Sequence, residues 1–255
     1  MAYSRVQISS SVVVAAALLT IATGCGSHKR VAGAPDPGGY FTTLAAGAPL
    51  PTDAQCAARV HHSKWEPRSE NVTANHKIVD QPVTLPDNSS FDATWQKKYK
   101  TRIDGNFVGT TDEIIQWASC KWGIADDVTR ARAMQETKWK QTAAGDAEPR
   151  SNKHCAPGWS DDPCPTSFGI LQSKWYFRPG TYPGTRTSTA FMLDSALAET
   201  RGCLDGRQFF GAVSKDDLWG CVGVWFSGEW GKNDKSYIKD VQHYFKSKPW
   251  LYWAG

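Results

Sequence analysis

The sequence predicts an α+β chain that is mainly helical: one domain with long loops and an irregular N-terminal arm. Two observations carry this. After residue 109 apolar residues recur at helical spacing in successive segments, and a Pro- and Gly-rich stretch from about Lys140 to 186 interrupts them. The first helix opens on Thr110 with Glu113 three residues on, a capping box in which side chain and backbone satisfy each other's free amides; Ile114, Ile115, Ala118 and Trp122 follow. The second starts at Asp126 or Asp127, carries Val128, Ala131 and Met134 on one face, and runs to about Lys140. The third spans roughly 188–201, with Ala190, Phe191, Leu193 and Leu197, and is stopped by Gly202. The fourth follows Ser214, is capped by Asp217, and carries Leu218, Val222 and Trp225. The last starts near Ser236, carries Ile238, Val241, Tyr244 and Phe245, and ends in lysines before Pro249, where cations suit the helix dipole. Residues 109–255 thus form the main domain. Residues 53–108 are polar and broken by Pro67, Pro82 and Pro86, with Trp65, Phe91, Trp95, Tyr99 and Phe107 as anchors; they read as an arm wrapping onto that body. Residues 25–52, rich in Gly, Ala and Pro, read as a flexible tether.

The N-terminus sets the compartment. Arg5 supplies a short positive region, and Val12 to Ala22 is an apolar run shorter than the ~20 residues that span a bilayer. Residues 1–24 therefore read as a secretory signal. Ile21-Ala22-Thr23-Gly24-Cys25 resembles the bacterial lipobox, which implies a lipid on Cys25 and attachment to the membrane of the cell envelope. The alternative is an ordinary cut near Gly24 and a secreted chain. Setting Cys25 aside leaves six of the seven cysteines, an even number that suggests disulfides in an exported protein. Cys155 and Cys164 bracket a short Pro/Gly/Asp loop and pair naturally. Cys203 with Cys221 comes next, and Cys56 would tie down the arm. No C-x2-C pair occurs and the histidines are scattered, so neither zinc nor any other metal or cofactor is expected.

The net charge of +4, with no Lys/Arg block, makes no case for nucleic acid and is compatible with an anionic wall polymer. Twelve tryptophans in 255 residues are many; most should fill the core and a few should line a groove.

One carboxyl stands out for chemistry. Glu136 lies near the end of the second helix, after Ala133 and Met134 and before Trp139. Burial beside apolar groups raises a carboxyl's pKa, which suits a general acid at neutral pH, and a helix C-terminus pushes the same way. The alternative is a solvated glutamate paired with Arg132 or Lys140.

Downstream comes Ser167-Phe168-Gly169-Ile170-Leu171-Gln172. With Glu136-Thr137-Lys138-Trp139 before it, and Trp225-Phe226-Ser227-Gly228-Glu229-Trp230 and the Tyr237–Val241 element after it, the chain resembles the lysozyme-like superfamily, in particular the soluble lytic transglycosylase family. The resemblance covers roughly 110–247. Thr137 stands where the family has Ser, Phe226 where it has Tyr and Ser227 where it has Asn, so a divergent branch is implied.

The resemblance implies a lysozyme-like fold and cleavage of β-1,4 bonds in peptidoglycan by a monomer. Glu136 would protonate the leaving oxygen and then take the proton back from the sugar's C6 hydroxyl, closing a 1,6-anhydro ring. In a lysozyme-type hydrolase a second carboxylate serves instead. Asp146 is the leading candidate for it, Asp161, Asp162 and Glu229 weaker ones, and Asp146 is equally a turn residue. Ser167 and Gln172 match positions that contact substrate or brace the glutamate, and Gly169 would let the backbone approach the sugar. Tyr237 resembles the family tyrosine near the acid. Trp139, Trp175 and Trp230 are candidates for stacking on sugar. A wall-binding lipoprotein without turnover is the remaining alternative.

Overall fold

The computed structural model describes residues 29–80, 83, 93–207 and 213–253. The signal at 1–24, Cys25, Pro82, Pro86 and Phe91 lie outside the described residues. Short helices α1 (Asp53–Ala57), α2 (Val72–Asn75) and α3 (Ala93–Lys98) punctuate the arm. The body follows with α4 (Thr111–Trp122) and α5 (Asp126–Thr137), then strands β1 (Ala144–Gly145), β2 (Ser167–Phe168) and β3 (Ser173–Lys174). Helices α6 (Gly184–Thr187), α7 (Thr189–Leu204), α8 (Leu218–Ser227) and α9 (Lys235–Ser247) complete it. Among the described residues the fold is mainly helical with one small antiparallel sheet of order β1-β2-β3, which agrees with the expected α+β, mainly helical class. Among the described residues no helix is long and apolar enough to cross a membrane.

The expected caps form. Thr110 and Glu113 close their capping box on α4, and Asp217 accepts from the Gly220 amide to start α8. Helix α7 overruns its expected stop. Gly202 lies inside it, because a side chain there would meet the Trp95 indole at 2.4 Å; the glycine makes room for the arm rather than ending the helix. Helix α5 ends earlier than expected, as Lys138 and Trp139 turn to positive φ and their amides close back on Met134 and Ala133.

Helices α4 and α7 are buried along their whole length. Their polar groups are therefore matched internally. Lys121, wholly buried, meets Asp194 at 2.9 Å, Asp104 at 3.0 Å and Asp53 at 2.7 Å, which ties α4 to α7 and to the arm. Arg130 on α5 is closed in by Asp112 at 2.7 Å, Asp126 at 2.7 Å and Asp127 at 3.0 Å.

The three disulfides pair Cys56 with Cys120, Cys155 with Cys164 and Cys203 with Cys221, Cα atoms 5.5, 5.5 and 5.7 Å apart. The first ties the arm to α4. Asn71, also on the arm, donates to the Trp139 carbonyl at 2.7 Å and to Thr111 Oγ1 at 3.0 Å.

Residues 29–52 differ from the expected tether. They run over the body as a strap of repeated main-chain contacts. The amide of Val31 bonds the Leu251 carbonyl, and those of Tyr40 and Phe41 bond the Asp126 carboxylate. The carbonyls of Leu44 and Ala45 receive the Arg201 guanidinium. The composition misled because these bonds use the backbone, which Gly, Ala and Pro leave uncluttered.

Arg130 carries the clearest stability prediction. Arg130→Met leaves three carboxylates crowded without their shared cation, and should cost about 3–5 kcal/mol in chemical denaturation at neutral pH.

Candidate active site

Glu136 is on the last turn of α5, half-buried, with its carboxyl facing a cleft of about 700 Å³. Tyr237 on α9, 4% exposed, donates its hydroxyl to Glu136 Oε1. Burial pushes the Glu136 carboxyl up to about 7 and the nearby Asp146 charge adds to the rise, while the Tyr237 hydrogen bond and the Arg132 cation hold it back. At that value the group is partly protonated near neutral pH and able both to give and to regain a proton. Arg132, read as a partner of a solvated glutamate, is instead wholly buried, and Lys140 is exposed.

The small sheet sets the opposite wall. Ser167 pairs with Gly145 across β1–β2 and with Lys174 across β2–β3, so one cross-strand row lies beside Asp146. Ser167 Oγ donates to Asp146 Oδ2 at 2.6 Å, and Lys174 Nζ lies 3.5 Å from the same oxygen. Asp146 takes positive φ just after β1, which fits its reading as a turn residue, yet it also lines the cleft. Its side chain is 58% exposed. Thr137, directly after Glu136, donates to the Ile170 carbonyl at 3.0 Å and ties the helix end to the turn after β2.

The sequence-predicted residues divide into two groups. Glu136, Asp146, Ser167, Gln172 and Glu229 line the cleft, and Tyr237 lies against it through Glu136. Glu229 is exposed and paired with Lys232 at 2.7 Å. The others lie elsewhere. Gly169 has positive φ, but a side chain there would strike the Thr185 carbonyl at 2.4 Å, so its close approach is to the protein and not to the cleft. Trp139 is fully buried against Trp65 and Trp250, with its indole N–H on the Arg130 carbonyl. Trp175 packs on Tyr182 and donates to the His154 carbonyl. Trp230 lies over Gly220 at the back of α8. Asp161 and Asp162 sit in the exposed Cys155–Cys164 loop, outside the cleft lining.

The cleft aromatics are different ones: Tyr176, Phe177, Trp225 and Phe226. Phe226 is 56% exposed and stacks on Tyr237 at 4.8 Å; Phe177 is 51% exposed. Phe226 was signalled by its place after Trp225 in the α8 motif. Tyr176 and Phe177 carried no signal beyond their nearness to Trp175, because the loop holding them has no period. Among the described residues no group of His, Cys, Asp and Glu is placed to hold a metal.

Stability should carry the mark of the buried carboxyl. The unfolded chain releases the Glu136 proton near its ordinary 4.5, and the folded protein keeps it to about 7. The protonated form's contribution is full below about pH 4.5 and is lost as pH rises through about 7. The full shift corresponds to about 3 kcal/mol, which the side of the carboxyl open to the cleft reduces to about 1–2 kcal/mol. Glu136→Gln should therefore be about 1–2 kcal/mol more stable than wild type at pH 8 and nearly equal at pH 4, measured by urea denaturation.

No protein-family model, curated protein or solved structure matches the chain.

Proposed function

We propose that the protein cleaves β-1,4 glycosidic bonds of peptidoglycan as a lytic transglycosylase, with Glu136 as general acid and then base. The observation that carries the reading is a carboxyl raised to about 7, held by a tyrosine hydroxyl and facing an open cleft with aromatic walls. The motif resemblance of Glu136-Thr137, Ser167–Gln172 and Trp225–Gly228 supplies the substrate class.

Glu136 gives its proton to the glycosidic oxygen as the C–O bond breaks, and the bonding pair leaves with that oxygen. The carboxylate then takes the C6 hydroxyl proton as that oxygen closes on the anomeric carbon. This route needs no second carboxylate. Asp146 suits a supporting part, since Ser167 and Lys174 already engage its Oδ2. Its negative charge beside the cleft would favour the oxocarbenium-like transition state. Tyr237 steadies the Glu136 carboxylate between the two transfers.

One observation favours a second reading. Asp146 lines the same cleft as Glu136 and raises its pKa, which is the pairing a hydrolase would use. Digestion of purified peptidoglycan followed by mass spectrometry separates the two. Anhydro ends, one water lighter than hydrolysed ends, are expected; hydrolysed ends would move the assignment to a hydrolase. Glu136→Gln should abolish release of soluble fragments while sedimentation with peptidoglycan is kept. Asp146→Asn should retain activity to within about tenfold, because its exposed charge is screened by water, partly offset by Lys174, and passes no proton. If wild type binds the wall polymer and releases nothing, the protein is a binder.

A further inference from the structure

Beneath the cleft floor lies a buried charged layer. Arg132 sits one turn before Glu136 on α5 and is fully buried. Its Nη1 donates to Thr200 Oγ1 on α7 at 2.9 Å, and its guanidinium carbon is 5.3 Å from the Trp225 ring. Its Nε and Nη2 are buried and make no hydrogen bond of good geometry among the described residues, the Tyr237 hydroxyl being the polar group that Arg132 also reaches toward. A buried cation with unmet N–H groups is costly unless an anion lies close by.

Two buried carboxyls are candidates for that anion. Glu199 on α7 is 4% exposed, but Arg178 Nε already donates to its two oxygens at 2.8 and 2.9 Å. The Glu199 charge, when present, is thus met first by Arg178, and burial pushes the Glu199 carboxyl up to about 7, so it is only partly ionised near neutral pH. Glu136 is then the carboxyl left to balance Arg132, and the balance exists only while Glu136 is ionised. The groups around Glu136 are Arg132 from its own helix, Tyr237 from α9 and Asp146 beyond β1, the last partly offset by Lys174. Glu199 and Arg178 complete the layer around Arg132.

We propose that Arg132 is a positioning residue for the acid–base step: the buried counter-ion of the carboxylate that Glu136 becomes when its proton leaves. Arg132 exchanges no proton. It moderates the cost of carrying a carboxylate on a largely desolvated helix end between donation and return, so that one residue can do both. Glu199 tunes this from the other side, since its charge draws on the same cation. The catalytic part of the inference rests on the proposed transglycosylase reading; the ion balance rests on the fold alone.

The experiment is a pH titration of the Glu136 carboxyl by carbon-13 NMR, run on wild type, Arg132→Gln, Arg132→Lys and Glu199→Gln, beside the pH–rate profile on peptidoglycan. Arg132→Gln should raise the Glu136 midpoint by about one pH unit or more and lower kcat about tenfold with KM little changed. Arg132→Lys, which keeps the charge, should restore most of both. Glu199→Gln should move the midpoint the opposite way, downward, because Arg132 is then left with fewer carboxylates to serve. A purely structural Arg132 would lower the melting temperature and leave every midpoint in place, which overturns the proposal. If Arg132→Gln does not fold, Arg132→Met, which fills the same apolar space without the charge, takes its place: a raised Glu136 midpoint supports the proposal and a wild-type midpoint overturns it. If wild type cleaves no glycan, the functional reading fails, and the NMR midpoints still judge the ion balance.

Discussion

The Arg130 guanidinium, enclosed by Asp112, Asp126 and Asp127, is the constraint on which the cleft depends. It locks the start of α5 against α4. Asp126 is shared further, since its carboxylate also accepts the amides of Tyr40 and Phe41. At the other end Trp139 returns its indole N–H to the Arg130 carbonyl, so the helix is closed on itself through one residue. Glu136 lies between these two fixings. Its position follows from these two fixings, and its raised proton affinity from the desolvation of its carboxyl.

The fold rests on charges taken into the interior and matched there. Lys121 serves three carboxylates, Arg201 bonds Asp205 and two carbonyls, and Arg178 holds Glu199. Removing a single partner from such a group is costlier than the pair's own net contribution, because the other charge remains buried. The groups also cross elements, as where Arg201 on α7 holds the strap at Leu44 and Ala45. Arg132 extends the pattern to the cleft, where one partner is reactive.

What the sequence made legible follows local rules. Thr110 with Glu113 and Asp217 with Gly220 marked helix starts because capping acts over three residues. Cys155 and Cys164 were readable because nine residues separate them. Glu136 and the Ser167–Gln172 turn were readable as motifs, and Tyr237 reaches the carboxyl across 101 positions of chain. What stayed illegible was direction and long-range exchange. A tryptophan's sequence position does not say which way its indole points, so Trp139 looked available while it was filling the core. Gly202 looked like a stop because its reason, Trp95, lies more than a hundred residues away. The strap was invisible because its contacts are made by backbone groups that every residue has.

That strap alters the geometry of attachment. If Cys25 carries the lipid its sequence setting suggests, the first fixed point among the described residues is the Val31 amide on the Leu251 carbonyl. Six residues of chain span at most roughly 20 Å. A body on so short a leash would stay within about one molecular diameter of the lipid headgroups.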